Sequence, residues 1–169
     1  MLLALLLIPA SSSSVVGHLF PAAMGLRLGQ DFPNLEVETT AGSLKLHDYW
    51  GDKWGILFSH PADFTPVCTT ELGTVARYVD EFTKRNCKMI ALSCNNTESH
   101  VEWVKDIVAS QGVAELGFPI IADESREIVT ELGMIGARSL ALPRPSPPPP
   151  PPPLPGARAN AASADVPLP

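Results

Sequence analysis

The chain has 169 residues, among them 18 prolines, and its net charge is −6. Residues 1–25 carry no charged side chain, residues 26–135 carry 17 acidic and 9 basic groups, and 12 of the prolines follow position 142. An acidic middle segment without a run of Lys and Arg lacks the basic surface of a nucleic-acid-binding protein. The longest apolar run, Leu2 to Ile8, is too short for a transmembrane helix, which takes about 20 residues.

Residues 1–25 form the first of three segments. An apolar stretch followed by small residues is typical of a secretory signal, but no positive charge precedes it. The segment is therefore predicted to be either a targeting peptide or an upstream extension. We expect a cytoplasmic location for the protein, or a secretory or organellar one if residues 1–23 act as a targeting peptide.

Residues 26–135, about 110 residues, are enough for one modest domain. Alternating residues around Gly42 predict a hairpin, and three apolar runs predict buried strands at Trp54–Ser59, Lys88–Cys94 and Phe118–Ala122. Apolar residues at helical spacing follow each of these strands and predict three helices. The first runs from Thr69 to Arg85, the second begins at Thr97, and the third runs from Ser125 to Leu132. This alternation predicts an α/β fold with a parallel sheet and right-handed crossovers.

Cys68 is the candidate reactive residue. It follows the strand Trp54–Ser59 at the first turn of a helix, and sites in open α/β sheets form beyond the carboxyl ends of the strands. Unpaired backbone N–H groups at a helix start favour a thiolate over a thiol. Thr65, three residues earlier, can offer a hydroxyl to the sulfur or to an oxygen bound beside it. A lone cysteine is ordinarily a buried inert residue, but this position favours a reactive one.

Pro61, Thr65 and Cys68 reproduce a PxxxTxxC motif within the stretch WGILFSHPADFTPVCTTELG. The sequence thus resembles the peroxiredoxins, and in particular their one-cysteine branch of the alkyl hydroperoxide reductase and thiol-specific antioxidant type. The similarity runs from about Leu26 to Ile135 through HDYWGDKWG, ALS and ELGM. It implies a thioredoxin-like fold and a thiol-dependent peroxidase with an antioxidant role.

The resemblance also implies a role for each residue of the motif. Cys68 would be the peroxidatic cysteine, whose thiolate attacks a peroxide oxygen and becomes a sulfenic acid. Thr65 would orient the peroxide, Pro61 would shield the sulfur, and His60 and Glu71 would position the site. Implied partners are a peroxide substrate, an external thiol reductant of the glutathione or thioredoxin type, and a second copy in a homo-oligomer. No cofactor and no metal are expected.

The sequence departs from this branch after Met134. Members carry an arginine on a later strand that pairs with the thiolate, whereas this chain continues GARSLALPRPSPPPP. Arg138 takes that place only if a long loop has been deleted. The next strand, the last helix and the C-terminal dimerisation domain are also missing or replaced, so we expect weakened activity.

Some relatives are credited with a phospholipase activity that uses a GxSxG serine. Lys53 stands at the serine position here, so we do not expect that activity. His47 matches the histidine of that site, and without a serine it is expected to be a surface or structural imidazole. His100, on a helix face, receives the same interpretation.

Two further cysteines, Cys87 and Cys94, stand at the ends of one predicted strand. They are too far apart along an extended chain to form a disulfide with each other. No set of His and Cys residues has the spacing of a metal site. The sequence therefore predicts no resolving cysteine and no metal centre.

Residues 136–169 are predicted to be a disordered proline-rich tail. Seven consecutive prolines, Pro147 to Pro153, favour a polyproline helix and cannot build a core. Such a segment can also bind aromatic-lined grooves. Two alternative functions stay open at this point: a catalytically silent binding protein that presents this tail, and a truncated product without an independent role.

One further expectation concerns the edge of the sheet. In a thioredoxin-like arrangement Trp54–Ser59 lies between Lys88–Cys94 and a strand that is not recognisable in this sequence. Its other edge is therefore expected to be open and prone to association. Backbone amides of Ile56 to Phe58 are expected to exchange faster than those of Ile90 to Leu92.

Overall fold

The computed structural model describes residues 3–6 and 25–135. Its elements in chain order are β1 (Leu3–Leu6), β2 (Glu36–Thr39), β3 (Gly42–Lys45), α1 (Leu46–Trp50), β4 (Trp54–Ser59), α2 (Pro66–Arg77), α3 (Val79–Lys84), β5 (Cys87–Ser93), α4 (Thr97–Gln111), β6 (Ile120–Ala122) and α5 (Glu127–Glu131). The proline-rich tail and most of the first segment lie outside the described residues. In the part of the chain described, no helix combines the length and apolar character needed to cross a membrane.

The six strands within the described residues belong to one sheet, in the order β1-β4-β5-β6-β2-β3. Strands β4, β5 and β6 are parallel neighbours, as the alternation of strands and helices predicts. The hairpin β2–β3 joins β6 in antiparallel fashion, with Thr39 opposite Ile121. The predicted α/β fold with an N-terminal hairpin is confirmed.

The expectation of an open β4 edge is wrong. Strand β1 pairs with β4 in antiparallel register, with Leu3 opposite Ser59 and Leu6 opposite Ile56. The unpaired N–H and C=O groups of a strand edge are a template for any extended segment. In this chain the segment that covers the edge precedes the hairpin, within the apolar run whose composition is typical of a signal.

The hydrophobic core lies on both faces of the sheet. Successive side chains of a strand point to opposite faces, so Leu57 of β4 packs with Trp50 and Ile90, whereas Phe58 packs with Cys68 and other residues of a second cluster. The second cluster also contains Leu72, Met89, Trp103, Ile107, Leu116, Phe118 and Ile120. Burial on both faces explains why β4 and β5 are almost continuously apolar.

The helix after β4 differs from its prediction at both ends. It begins at Pro66, three residues before the predicted start, because proline fits the first helical turn without losing a bond. It stops at Tyr78, whose backbone angles, φ −103° and ψ 8°, interrupt the helix before α3 begins. The early start places Cys68 inside the first turn.

Two smaller features are not indicated by the sequence patterns. Helix α1 has five residues, too few for helical spacing to show in the sequence. Helix α4 begins at Thr97 as predicted, but its capping side chain belongs to Asn96, whose Oδ1 accepts a hydrogen bond from the backbone N–H of Ser99 at 2.9 Å.

Candidate active site

Cys68 is the third residue of α2, just beyond the carboxyl end of β4. Its side chain packs in the second core cluster with Phe58, Leu72 and Trp103, and the residue is only 1% exposed. The sulfur therefore lies beneath the protein surface. Access to it depends on the loop that precedes the helix.

This active-site loop runs from His60 to Thr65. Phe64 has a left-handed backbone, φ 57°, which is rare for a residue with a side chain. The hydroxyl of Thr65 donates a hydrogen bond to the carbonyl oxygen of Ala62 at 3.1 Å. Because that bond uses the hydroxyl proton, the oxygen of Thr65 keeps lone pairs that can accept a further hydrogen bond. Pro61 lies exposed on the outer side of the same loop.

The first turn of α2 is fixed by Thr69. Its backbone N–H and its hydroxyl both donate to the carbonyl oxygen of Thr65, each at 2.9 Å. The indole N–H of Trp103, on α4, donates to the same hydroxyl at 3.0 Å. The residue next to Cys68 is thus held from two directions.

A buried polar network joins the same loop to α4 and centres on Asp63. Its Oδ1 accepts from Nε2 of His60 at 3.1 Å, and its Oδ2 accepts from Nδ1 of His100 at 2.9 Å and from the hydroxyl of Ser99 at 2.6 Å. Asp63 is 1% exposed, His60 4% and His100 0%. The network therefore ties the active-site loop to α4 away from solvent.

Burial and hydrogen bonding act in opposite directions on these groups. Burial raises the pKa of Asp63, but the hydrogen bonds from His100, His60 and Ser99 together outweigh it and bring the pKa to about 2. For His60 burial is the largest influence and lowers the pKa, against the hydrogen bond and charge of Asp63, which raise it. Asp63 is therefore an anion and His60 a neutral imidazole at neutral pH.

His60 links this network to the core around Cys68. Its ring centroid lies 4.7 Å from that of Trp103 and 6.2 Å from that of His100. Its Nε2 is bonded to Asp63, whereas its Nδ1 is buried and has no hydrogen-bond partner among the described residues. His60 therefore contacts both the polar network and the core cluster that contains Cys68.

Two residues of the network, Asp63 and His100, are not indicated by the sequence motif. The sequence favours a surface or structural imidazole for His100, and the structure buries it completely against the active-site loop. The three residues His60, Asp63 and His100 bring possible metal ligand atoms within 4.8 Å of one another, a grouping that sequence spacing does not predict. Asp63 and His100 are 37 residues apart, and the packing of α4 on the loop brings them together.

Glu71 lies one turn after Cys68, on the same side of α2 by helical spacing. Its Oε2 is buried and makes no hydrogen bond within the described part of the chain. A buried carboxylate oxygen without a partner is costly, and a cation would satisfy it. Two arginines later in the chain are bound to other groups, Arg77 to Gln111 and Arg85 to Glu81. Arg138 lies outside the described residues.

His47 has a structural environment. Its Nε2 lies 2.7 Å from the carbonyl oxygen of Phe32, and its backbone N–H donates to Oδ1 of Asn34 at 3.0 Å. These bonds tie α1 to the segment before β2. They support the interpretation of His47 as a structural imidazole.

Comparison with known proteins adds to this geometry. Residues 28–146 match the AhpC/TSA family. The chain belongs to this family. It is 54% identical over 111 residues to 1-Cys peroxiredoxin PER1 of Arabidopsis thaliana, and 57% identical over 114 residues to peroxiredoxin-6 of Gallus gallus. Each alignment covers 66% of this chain and 51% of the relative, so the chain spans about half the length of these AhpC/TSA relatives.

Solved structures of the AhpC/TSA type support the same assignment. A cysteine-to-serine mutant of peroxiredoxin 6 from Arenicola marina superposes with a TM-score of 0.63 at 53% identity, over 64% of this chain and 50% of that chain. A yeast mitochondrial 1-Cys peroxiredoxin gives a TM-score of 0.64 at 49% identity, over 65% of this chain and 52% of that chain. The one-cysteine peroxiredoxin type and the thioredoxin-like fold predicted from the sequence are confirmed.

Proposed function

We propose that this chain is a thiol-dependent peroxidase that reduces hydrogen peroxide or organic hydroperoxides at Cys68. The observation that carries the proposal is the position of Cys68, in the first turn of α2 behind a loop that contains Pro61 and Thr65. Relatives that match over the same region are named 1-Cys peroxiredoxins. The proposal applies their chemistry to a chain that spans about half of their length.

The proposed reaction has two steps. In the first, the Cys68 sulfur forms a bond to one peroxide oxygen as the O–O bond breaks, and the thiol proton leaves with the other oxygen as water or an alcohol. In the second, two reductant thiols convert the sulfenic acid back to a thiol, releasing one water and one disulfide. Thr65 accepts a hydrogen bond from the hydroperoxide in the first step, and Pro61 limits access to the sulfur.

The reductant is proposed to be an external thiol of the glutathione or thioredoxin type. Cys87 begins β5 and Cys94 directly follows its last residue, so the length of an extended strand separates these two thiols. The yeast mitochondrial relative is described as resolving its thiol through glutathione and thioredoxin systems. That relative supports an external donor here.

A homo-oligomer and a cytoplasmic location belong to the same proposal. Light scattering tests the oligomeric state, and cell fractionation tests the location.

Peroxide consumption by the purified full chain tests the proposal. With hydrogen peroxide and either glutathione or thioredoxin as reductant, we expect turnover that depends on chain concentration and disappears in Cys68→Ser. Cys87→Ser serves as the matched control and is expected to retain turnover. Absence of turnover together with an unoxidised Cys68 would refute the proposed activity and favour a binding role.

A further inference from the structure

The active-site loop and helix α4 meet at the buried carboxylate of Asp63. This carboxylate receives hydrogen bonds from both imidazoles and from Ser99, and the backbone N–H of Asp63 donates to Oδ1 of Asn95 at 3.2 Å. Several polar side chains are therefore arranged around one loop residue, just beyond the end of β4. Neither sequence motif nor family match assigns a role to Asp63 or His100.

The hydrogen-bond partners of the two imidazoles fix where their protons lie. An ionised carboxylate and a backbone carbonyl can only accept. His100 faces one of each, since its Nδ1 contacts Asp63 at 2.9 Å and its Nε2 contacts the carbonyl oxygen of Ile121 at 3.1 Å. His100 must therefore donate from both nitrogens, as an imidazolium. The buried pair of Asp63 and His100 is then neutral as a whole.

The hydrogen bond to Asp63 also fixes the tautomer of His60. Its Nε2 lies 3.1 Å from the ionised Asp63 and must donate, so a neutral ring carries its proton there. The other nitrogen, Nδ1, is then a bare lone pair. It is buried and has no partner among the described residues. A buried acceptor left without a donor lowers folding stability, and an O–H donor from a bound molecule would satisfy it.

We propose that Asp63 and His100 are positioning residues of the Cys68 site, which act through His60 by holding its proton on Nε2 and so keeping Nδ1 as an acceptor. His60 precedes Pro61 of the motif, and its ring centroid lies 4.7 Å from that of Trp103, which shares the core cluster of Cys68. Hydrogen peroxide carries two O–H donors, so an acceptor at Nδ1 of His60 can take one while Thr65 takes the other, and an N–H at Nδ1 could accept neither. This inference rests on the proposed peroxidase function and deepens it.

The substitution Asp63→Asn tests the proposal because it preserves shape and changes hydrogen-bonding character. An asparagine can accept from His100 through its oxygen, but its amide then presents an N–H to His60. His60 must move its proton to Nδ1, and the acceptor is lost. We expect the second-order rate constant for Cys68 oxidation by hydrogen peroxide to fall by about tenfold or more.

Asp63→Glu supplies the rescue. It restores the carboxylate at the cost of a poorer fit, so a positioning role predicts a faster reaction for Asp63→Glu than for Asp63→Asn. A merely structural role predicts the opposite order, since asparagine fits the site and glutamate overfills it. Asp106→Asn, the same chemical change at an exposed position of α4, is the matched control and should react like the unaltered chain.

Two measurements keep the proposal independent of turnover. Long-range ¹H–¹⁵N spectra of the full chain show which ring nitrogens carry protons, and we expect both for His100 and only Nε2 for His60. The alkylation rate of Cys68 by iodoacetamide reports its surroundings without peroxide. If the chain shows no peroxidase turnover, the proposed function fails, while the spectra and the alkylation rates still decide the role of Asp63.

Three results would overturn the inference. One is a proton on Nδ1 of His60 in the unaltered chain, a measurement that needs no variant to fold. Another is an Asp63→Asn variant that folds and keeps both the tautomer and the rates. The third is loss of the imidazole N–H signals of His60 and His100 on addition of Zn²⁺, which would make the cluster a metal site instead.

Discussion

Three cysteines of this chain lie in different surroundings, and the difference decides which sulfur can react. Cys87, at the start of β5, is buried, and burial raises the pKa of its thiol. A thiol with a raised pKa has little thiolate at neutral pH and reacts slowly. Cys68 is also buried, but it lies at a helix start behind the motif loop.

Cys68, and not Cys87 or Cys94, is expected to form a sulfenic acid when the chain meets less than one equivalent of peroxide. Its position in the first turn of α2 gives it the electrostatic setting that the reaction needs, and the loop before that helix controls access to the sulfur. Dimedone trapping followed by mass spectrometry measures the site of oxidation. Preferential adducts on Cys87 or Cys94 would contradict the assignment.

The unpartnered oxygen of Glu71 leads to a second expectation at this scale. The described residues place no bonded cation on its buried Oε2, and the strand that carries an arginine in this branch is not recognisable in the sequence. Electrostatic stabilisation by one preorganised donor contributes about 10² to 10³ in rate. Oxidation of Cys68 is therefore expected to be slower by about that factor than in a full-length relative.

Stopped-flow tryptophan fluorescence measures this rate, with the chain and a full-length one-cysteine peroxiredoxin in the same buffer. Low concentrations of guanidinium are expected to accelerate the reaction, and less so in Glu71→Gln. If the two proteins react at the same rate, another group supplies the cation. Arg138→Ala, compared with Arg144→Ala, then identifies it.

The buried imidazole of His60 makes stability depend on pH. Its pKa in the folded chain is below the ordinary value of 6.5, so the unfolded chain binds more protons in acid. The contribution of His60 is therefore present above pH 6.5 and is lost as the pH falls through its folded pKa. The pKa of Asp63, about 2 against an ordinary 3.8, acts in the same direction at lower pH.

Denaturant unfolding at several pH values checks this expectation. Between neutral pH and pH of about 5 the free energy of unfolding should fall more steeply for the unaltered chain than for His60→Asn, in which the titrating ring is absent. His47→Asn is a control for the loss of a histidine that has no place in the network. Equal slopes for the chain and His60→Asn would show that His60 is not the group responsible.

Among the elements, those with a strong burial pattern were predictable and those set by single tertiary contacts were not. Strands β4 and β5 are apolar on both faces, so their sequences mark them within one residue at each end. The apolar spacing continues past Tyr78, so no sequence pattern marks the break between α2 and α3. The motif predicts Cys68 as the reactive residue, whereas Asp63 and His100 meet only through packing across 37 residues, which no sequence pattern indicates.

A glycine in β4 provides a test of packing at the element scale. A Cβ on Gly55 would lie 2.6 Å from Cε2 and 2.7 Å from Nε1 of Trp50, whose ring is 1% exposed and cannot move aside freely. Gly55→Ala is therefore expected to lower the free energy of unfolding by about 1–3 kcal/mol. Urea unfolding of the single variant measures this loss.

The double variant Gly55→Ala with Trp50→Phe separates overpacking from other effects. Phenylalanine lacks the five-membered ring that the new methyl group would meet, so the two losses should sum to more than the loss in the double variant. Strict additivity would show that the methyl group does not act through Trp50.

At the scale of the whole molecule, the completeness of the sheet depends on residues far from the domain in sequence. The apolar run near the N-terminus has the composition of a signal, and strand pairing cannot be seen in composition. In the structure four of its residues lie along β4 and occupy the edge expected to be open. The proline-rich segment cannot form such a ladder, because proline has no N–H to donate.

Removal of residues 1–8 should therefore uncover the β4 edge. Along a strand, successive backbone groups point alternately to the two neighbours, so only alternate amides of Ile56 to Ser59 lose their partners while the others stay bonded to β5. Native-state hydrogen exchange should show faster exchange at those alternate amides, with little change from Ile90 to Leu92. An uncovered edge should also promote self-association, which light scattering detects.

A single substitution in the full chain isolates the backbone contribution. Leu5 lies opposite Leu57, and Leu5→Pro removes an N–H and the fit of β1 to the ladder, whereas Leu5→Ala keeps the backbone groups. We expect Leu5→Pro to reproduce the exchange pattern of the truncated chain and Leu5→Ala to retain most of the protection. If the truncated chain stays monomeric with fully protected amides from Ile56 to Phe58, β1 is not what completes the sheet, and another segment must cover β4.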